Sequence, residues 1–415
     1  GPDDTSFVHY SLEIDPQNFN LETDEKRSRF YTVVDLDLEI RATGGDLVVA
    51  KQTEIPFELT PSQFDQVQAS PVAIQGAFPI VAGDYDLSLI ARNRVLKQYA
   101  VAERSVHVPP VTAEKAELSE VVLGFRTEIV SPGQEGEVRP FQVGSQLVHP
   151  AADSVFALGE ILEILAQVRG PRSMDRVRFE IVDAKETLVT EREVGADRYA
   201  DGLLVESLQT GSLTVPGNYE LRVSLLDPSG TRLSERTVPL VVSPRTRVVR
   251  AGFLSRQGFN GAAPGLLALE KGEQLLGVGR FAEGIAELER AVAAENPDLP
   301  MARWKLAGAL INSGEIGRTM ELLSPLEEKY PHQFEVVAGL GFAHYHQLEF
   351  DQCRSYLERA LPLGAPYPAL LNTLADCYER TGSPEAALET FSRSLEMDPH
   401  QPMVQDRIAA LRSRP

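Results

Sequence analysis

At 415 residues the chain is longer than one hydrophobic core usually serves, and 43% apolar with 24% charged residues is ordinary globular usage, so two to four folded domains are expected without a metal or disulfide staple. The formal net charge of −20 argues against a nucleic-acid binder or a peripheral protein on anionic lipid, because both need a basic surface. No run of about eighteen apolar residues is present, which excludes a membrane-spanning helix and so direct membrane insertion by this chain.

Gly1-Pro2, with no initiating Met, reads as the scar of a removed tag, so the native N-terminus is expected to be missing. From Phe7 to Val108 the pattern is strand-like. Val34, Leu36, Leu38 and Ile40 alternate with Asp35, Asp37, Glu39 and Arg41, the period-2 signature of a strand with one wet face. Further strands are predicted over Asp46–Phe57, Pro71–Pro79, Tyr85–Asn93 and Ala102–Val108. Many short strands separated by Gly, Pro and Asp favour a sandwich over a barrel.

A second segment, Leu118 to Val242, repeats this layout. Ala82-Gly83-Asp84-Tyr85-Asp86-Leu87 corresponds to Pro216-Gly217-Asn218-Tyr219-Glu220-Leu221, and in both copies a closing strand ends 23 residues after the tyrosine. This Gly-x-Tyr-x-Leu entry resembles the corner tyrosine of immunoglobulin-like sandwiches, which implies a ring packed under the fold with its hydroxyl on a backbone group. Gly159–Arg169 fits helical spacing as well as strand; register with Phe30–Arg41 of the first copy assigns it as a strand. Arg176–Asp183 alternates cleanly, and Asp183-Ala184-Lys185-Glu186 is expected to close a hairpin onto Thr187–Val194. The stretch Leu118–Val168, with Val121-Val122-Leu123-Gly124, His149-Pro150 and Phe156-Ala157-Leu158-Gly159, resembles sandwich regions beside helical repeats in large bacterial exported proteins. That resemblance implies a bacterial, extracytoplasmic setting, periplasmic or at the cell surface. The following segment, 246–264, reads as a linker; Arg247, Arg250 and Arg256 within it, and Arg245 at its edge, are solvated or form a local basic patch.

From Gly265 onward the sequence is self-similar at a period near 34. The first unit has Gly272, Gly279, Phe281, Gly284, Leu288, Ala291 and Pro297. The second has Leu306, Ala307, Gly314, Leu323 and Pro331, the third Leu340, Gly341, Phe350, Leu357 and Ala360. The fourth has Leu374, Ala375, Tyr378, Gly382, Ala387, Phe391 and Pro399. This pattern resembles the tetratricopeptide repeat. Small residues let paired helices approach, large ones fill the seam, and the proline follows the second helix. Gly284 stands where alanine is usual, at a cost of roughly 1 kcal/mol in helix propensity; Thr319 and Cys353 fill the same place later. Val404, Ile408 and Leu411 on a last helix are expected to cover the end of the array.

The fold class expected is therefore all-β plus all-α: immunoglobulin-like β-sandwiches over 1–110 and 115–245, a linker, and four repeats with a capping helix over 265–415. In the tetratricopeptide family the first helices of successive units line a concave groove that receives a protein or peptide segment. Carried over, that lining is Leu266, Leu269 and Leu276, then Met301, Trp304 and Ile311, then Phe342, Tyr345 and His346, then Asn372, Asp376 and Arg380. The subclass that clamps a terminal carboxylate needs Lys, Asn and Arg at set positions, where this chain has Leu269 and Glu273. Two readings stay open: the groove takes an external partner, or it is covered by Ala251–Pro264, with Phe253, Leu254 and Phe259, or by the second β-domain.

His344 and His346, two apart on a helix, point away from each other and cannot share a metal. Asp35, Asp37 and Glu39 lack the turn glycine of a calcium loop. Cys353 and Cys377 lie in adjacent repeats and read as buried thiols rather than as a disulfide. The seven histidines accompany no nucleophile elbow, P-loop, dinucleotide fingerprint or zinc-protease run. The function expected is a non-catalytic adaptor without cofactor or metal. The alternatives are a structural part of a bacterial envelope or surface assembly, with self-association, and a carbohydrate-binding protein, disfavoured because neither β-domain contains tryptophan.

Overall fold

The computed structural model describes residues 5–413 apart from 16–21, 25–28, 95–97, 111–115, 134–136, 171–174, 196–198, 200–201, 212, 246–247, 261–263 and 295–298. Gly1-Pro2, Arg247, Pro297 and the side chains of Phe253 and Leu254 lie outside the described residues. The chain forms two compact units, Gly1–Ala262 and Ala263–Pro415. The first is strand-rich and the second helical.

In the first unit β1 (Ser6–Ile14) and β5 (Val72–Ile80) pair antiparallel. A separate sheet contains β2 (Glu22–Asp24), β3 (Arg29–Ala42), β4 (Leu47–Leu59), β6 (Gly83–Asn93) and β7 (Gln98–Val108). The alternation read in β3 is real: Val34, Leu36, Leu38 and Ile40 are buried. Its opposite face is not simply solvated, because Asp35 accepts from Arg94 Nε at 2.7 Å and Asp37 pairs with Arg92. A helix the sequence reading lacked, α1 (Pro61–Ala69), joins β4 to β5 and stacks Phe64 on Phe30 at 4.0 Å.

The second β-domain has two sheets around one core. One contains β8 (Glu117–Leu118), β9 (Val122–Ile129), β11 (Gln142–Val143), β12 (Gln146–Pro150), β14 (Leu162–Arg169) and β17 (Leu203–Leu208). The other runs in the order β13 (Val155–Ala157), β19 (Arg232–Ser243), β18 (Gly217–Leu226), β15 (Arg176–Asp183), β16 (Leu188–Gly195), with β13 parallel to β19. Leu162, Ile164 and Leu204 of the first sheet share a buried cluster with Phe179, Ile181, Leu221 and Val223 of the second. Within the ambiguous 159–169 stretch Leu162–Arg169 is a strand, preceded by a turn at Gly159, and the hairpin turn forms as expected: Asp183 Oδ1 accepts the N–H groups of Lys185 and Thr187 at 2.8 and 2.9 Å. Both corner tyrosines reach the backbone four residues earlier. Tyr85 donates to Val81 O at 3.1 Å and Tyr219 to Val215 O at 2.7 Å.

The segment read as a free linker is instead part of the β-structure. β20 (Gly252–Gln257) adds to β5 in parallel, and β21 (Phe259–Asn260) pairs with β10 (Glu137–Val138). Two of its arginines are anchored, while Arg245 is exposed. Arg250, 15% exposed at its side chain, bonds Glu160 at 2.9 Å and lies 4.8 and 5.1 Å from the Phe125 and Phe156 rings. Arg256 donates to Gln75 at 3.2 Å.

The second unit consists of helical pairs: α2 (Pro264–Gly277) with α3 (Phe281–Ala293), α4 (Pro300–Ser313) with α5 (Ile316–Lys329), α6 (Phe334–His346) with α7 (Phe350–Ala360), α8 (Pro368–Arg380) with α9 (Pro384–Met397), then α10 (Pro402–Arg412). Residues at the place held in turn by Gly284, Thr319, Cys353 and Ala387 are all buried. Gly314 and Gly382 end α4 and the α8 turn with φ of 81° and 79°, the left-handed conformation that suits glycine. Val404, Ile408 and Leu411 of α10 close the array against Ala375, Ala387 and Phe391.

Candidate functional site

The first helices of the pairs, α2, α4, α6 and α8, carry the residues assigned to the groove, and the structure divides them into three groups. Leu269 is a correction: at 4% exposure it packs with Leu288, Ala302, Leu306 and Leu310, so it fills the seam between the first two units and presents no surface. Leu266 and Leu276 are half-buried, and Leu276 fits against the backbone at Gly284.

The second group is apolar and reachable. On α4, Met301 is 46% exposed, while Trp304 and Ile311 are half-buried. Spacings of three and seven residues put all three on one helix face. Trp304 meets the edge of Tyr330 at 6.3 Å and borders the cluster of Leu323, Leu326, Val336 and Leu340, which fixes its indole. On α6, half-buried Phe342 stacks on Tyr367 at 6.5 Å, and Tyr367 itself is 40% exposed.

The third group forms a polar knot. Tyr345 donates its hydroxyl to Asp376 Oδ2 at 2.9 Å, Arg407 from α10 bonds Asp376 Oδ1 at 3.0 Å, and Arg380 Nε stands 3.6 Å from Asp376 Oδ2. Arg407 also pairs with Glu379 at 2.7 Å, and Arg380 lies 5.4 Å over the Phe350 ring. Burial, with the hydrogen bond to Asp376, pushes the Tyr345 hydroxyl above its ordinary pKa, so it stays a donor at neutral pH. Asn372 donates to Gln401 at 2.7 Å. Tyr345, Asp376 and Arg380 thus converge, whereas Leu269 and Leu276 belong to another seam. His346 is exposed beside the Tyr345 ring, and His344 turns away to bond Glu349 at 2.6 Å and stack on Tyr356.

Arg407, Gln401 and Tyr367 were missed in the sequence. Arg407 follows Asp376 by 31 positions, so extending the repeat period into α10 would have placed it beside the fourth unit. Cys353 and Cys377 are a second correction: they are joined by a disulfide with Cα atoms 6.5 Å apart, linking α7 to α8. The helix pairing brings the second helix of the third unit against the first helix of the fourth, and two small buried side chains meet there.

The tetratricopeptide repeat family model matches residues 269–318 and 339–402. The general transcriptional corepressor ssn6 of Schizosaccharomyces pombe is 28% identical over 185 residues, 39% of this chain, which spans 17% of the corepressor's length. Among solved structures, MamA AMB-1 is 27% identical, with a TM-score of 0.27 over 32% of this chain and 77% of that one. A MamA structure from Desulfovibrio magneticus RS-1 is 15% identical, with a TM-score of 0.30 over 34% of this chain and 80% of that one. The C-terminal unit thus carries tetratricopeptide repeats over the matched residues. Among the described residues no helix is long and apolar enough to cross a membrane.

Proposed function

We propose that this chain is an adaptor that holds an extended or helical segment of a protein partner on the first-helix face of its repeat array. The observation that carries this reading is the row of Met301, Trp304 and Ile311 on α4, with Phe342 on α6. These large apolar side chains remain partly accessible although the opposite faces of the same helices are fully packed. Partly accessible aromatics held by a rigid scaffold suit anchoring of a partner's apolar side chains. The polar knot around Asp376 bounds this surface; its groups bond one another, so they set an edge and leave the apolar row as the grip.

The two β-domains are proposed as immunoglobulin-like spacers, a reading supported by the paired corner tyrosines and the two-sheet core of the second domain. An extracytoplasmic bacterial setting is proposed as well; the Cys353–Cys377 disulfide favours an oxidising compartment.

The test is a pulldown from source-cell lysate with the full chain, a Trp304→Ala/Phe342→Ala variant and a Met301→Glu variant. Met301 is the most exposed of the row, so its replacement leaves the core intact. A protein retained by the parent and lost from both variants supports the adaptor reading. Equal retention by all three chains sinks it.

A further inference from the structure

We infer that residues 250–260 act as a clamp that completes the first β-domain and locks it to the second. Three contacts carry this. β20 lies along β5 from Gly252 beside Val72 to Gln257 beside Gly76, and the Gly252 N–H donates to Pro71 O at 2.7 Å. One step on, Phe259 packs 5.6 Å from Phe7 of β1 while its own strand, β21, pairs with Val138 of the second β-domain. At the other end Arg250 sits against the Phe125 and Phe156 rings and pairs with Glu160, all in the second domain.

The physical reason is the state of β5. Every residue from Val72 to Ile80 is buried, and β1 pairs with one edge only. Without β20 the other edge would leave buried N–H and C=O groups unbonded, which a folded sheet avoids. Nothing between Phe7 and Val108 supplies that third strand among the described residues, so the first domain borrows it from beyond the second. A parallel neighbour of β5 demands a long crossover, and here an entire domain serves as the crossover. Gly258 suits the tight passage between the two domains: a Cβ there would stand 2.9 Å from Val138 O.

The clamp is tested by amide hydrogen exchange on the full chain, comparing the parent with Arg256→Pro/Gln257→Pro and with Arg250→Ala. Two adjacent prolines remove whichever N–H faces β5. The expected result for the proline variant is at least tenfold faster exchange over 72–80, with 176–183 and 217–226 unchanged. Arg250→Ala should quicken exchange over 72–76 and over 137–143 together. If the proline variant unfolds the whole unit, Arg250→Ala decides. Parent-like exchange over 72–76 in Arg250→Ala, or over 72–80 in a folded proline variant, would overturn the clamp.

Discussion

The backbone N–H of Phe141 donates to Nδ1 of His9 at 3.0 Å, joining two residues 132 positions apart, one in each β-domain. The His9 ring also lies 5.6 Å from the Phe141 ring. An imidazole accepting at Nδ1 must be neutral there, and burial lowers its pKa from 6.5 to about 4.

That depression fixes a pH dependence. The unfolded chain takes up the His9 proton below pH 6.5 and the folded one only near pH 4, so the unfolded state binds more protons between these values. The contribution to stability is therefore complete above pH 6.5 and declines as pH falls towards 4, by about 3 kcal/mol at most. Urea midpoints of the N-terminal unit at pH 7.0, 5.5 and 4.5 should fall more steeply for the parent than for His9→Gln. Parallel declines would show that His9 is not the responsible group.

Tyr85 and Tyr219 make the same bond at different depths. Tyr85 is 2% exposed and Tyr219 half-buried. Removing a buried hydroxyl strands its acceptor, so Tyr85→Phe is expected to cost about 1–2 kcal/mol and Tyr219→Phe less than about 1 kcal/mol. Chemical denaturation of both variants measures this order; a larger loss at Tyr219 would contradict it.

Two helix glycines should respond to alanine with opposite signs. At Gly284 a Cβ would stand 2.9 Å from Leu276 Cδ2 and 3.0 Å from Gly272 O, so the glycine is required by the close approach of α2 and α3. Gly284→Ala is expected to destabilise by about 1–3 kcal/mol through overpacking, despite alanine's better helix propensity. Gly308, exposed within α4, has nothing within 4 Å of a built Cβ, and Gly308→Ala should stabilise by about 0.5–1 kcal/mol. Thermal unfolding of the pair decides; equal signs would refute the packing account.

The disulfide closes a loop of 24 positions between α7 and α8. On the chain-entropy estimate it contributes about 3 kcal/mol. Reductant should lower the array's unfolding midpoint in the parent and leave Cys353→Ala/Cys377→Ala unmoved. Alanine fits the seam, since Ala387 fills the place of Cys353 one unit later. No effect of reductant on the parent would mean that the bond adds no stability.

What the sequence revealed and what it hid follow from range. The repeat units, the β3 alternation and both corner tyrosines were legible because each is a pattern over neighbouring positions or a copy of one. Leu269 was misplaced because a shared repeat position does not say whether a large side chain turns into the seam or out of it. β20 was invisible for another reason. Its residues carry no local turn or charge signal that points to β5, and Arg256 meets Gln75 across 181 positions. The linker arginines likewise look solvated until the aromatic rings that hold Arg250 are placed beside them.

The borrowed strand also sets an order of events at the ribosome. At roughly 5–20 residues per second, the interval between synthesis of Gln75 and of Arg256 is about 10–40 seconds. During that time β5 has left the exit tunnel with one edge unoccupied, and a neighbouring nascent chain on the same messenger would carry the same vacancy. The β-domain that emerges ahead of its neighbour is thus completed after it, and its yield in a cell should depend on how quickly the 181 positions between those two residues are translated.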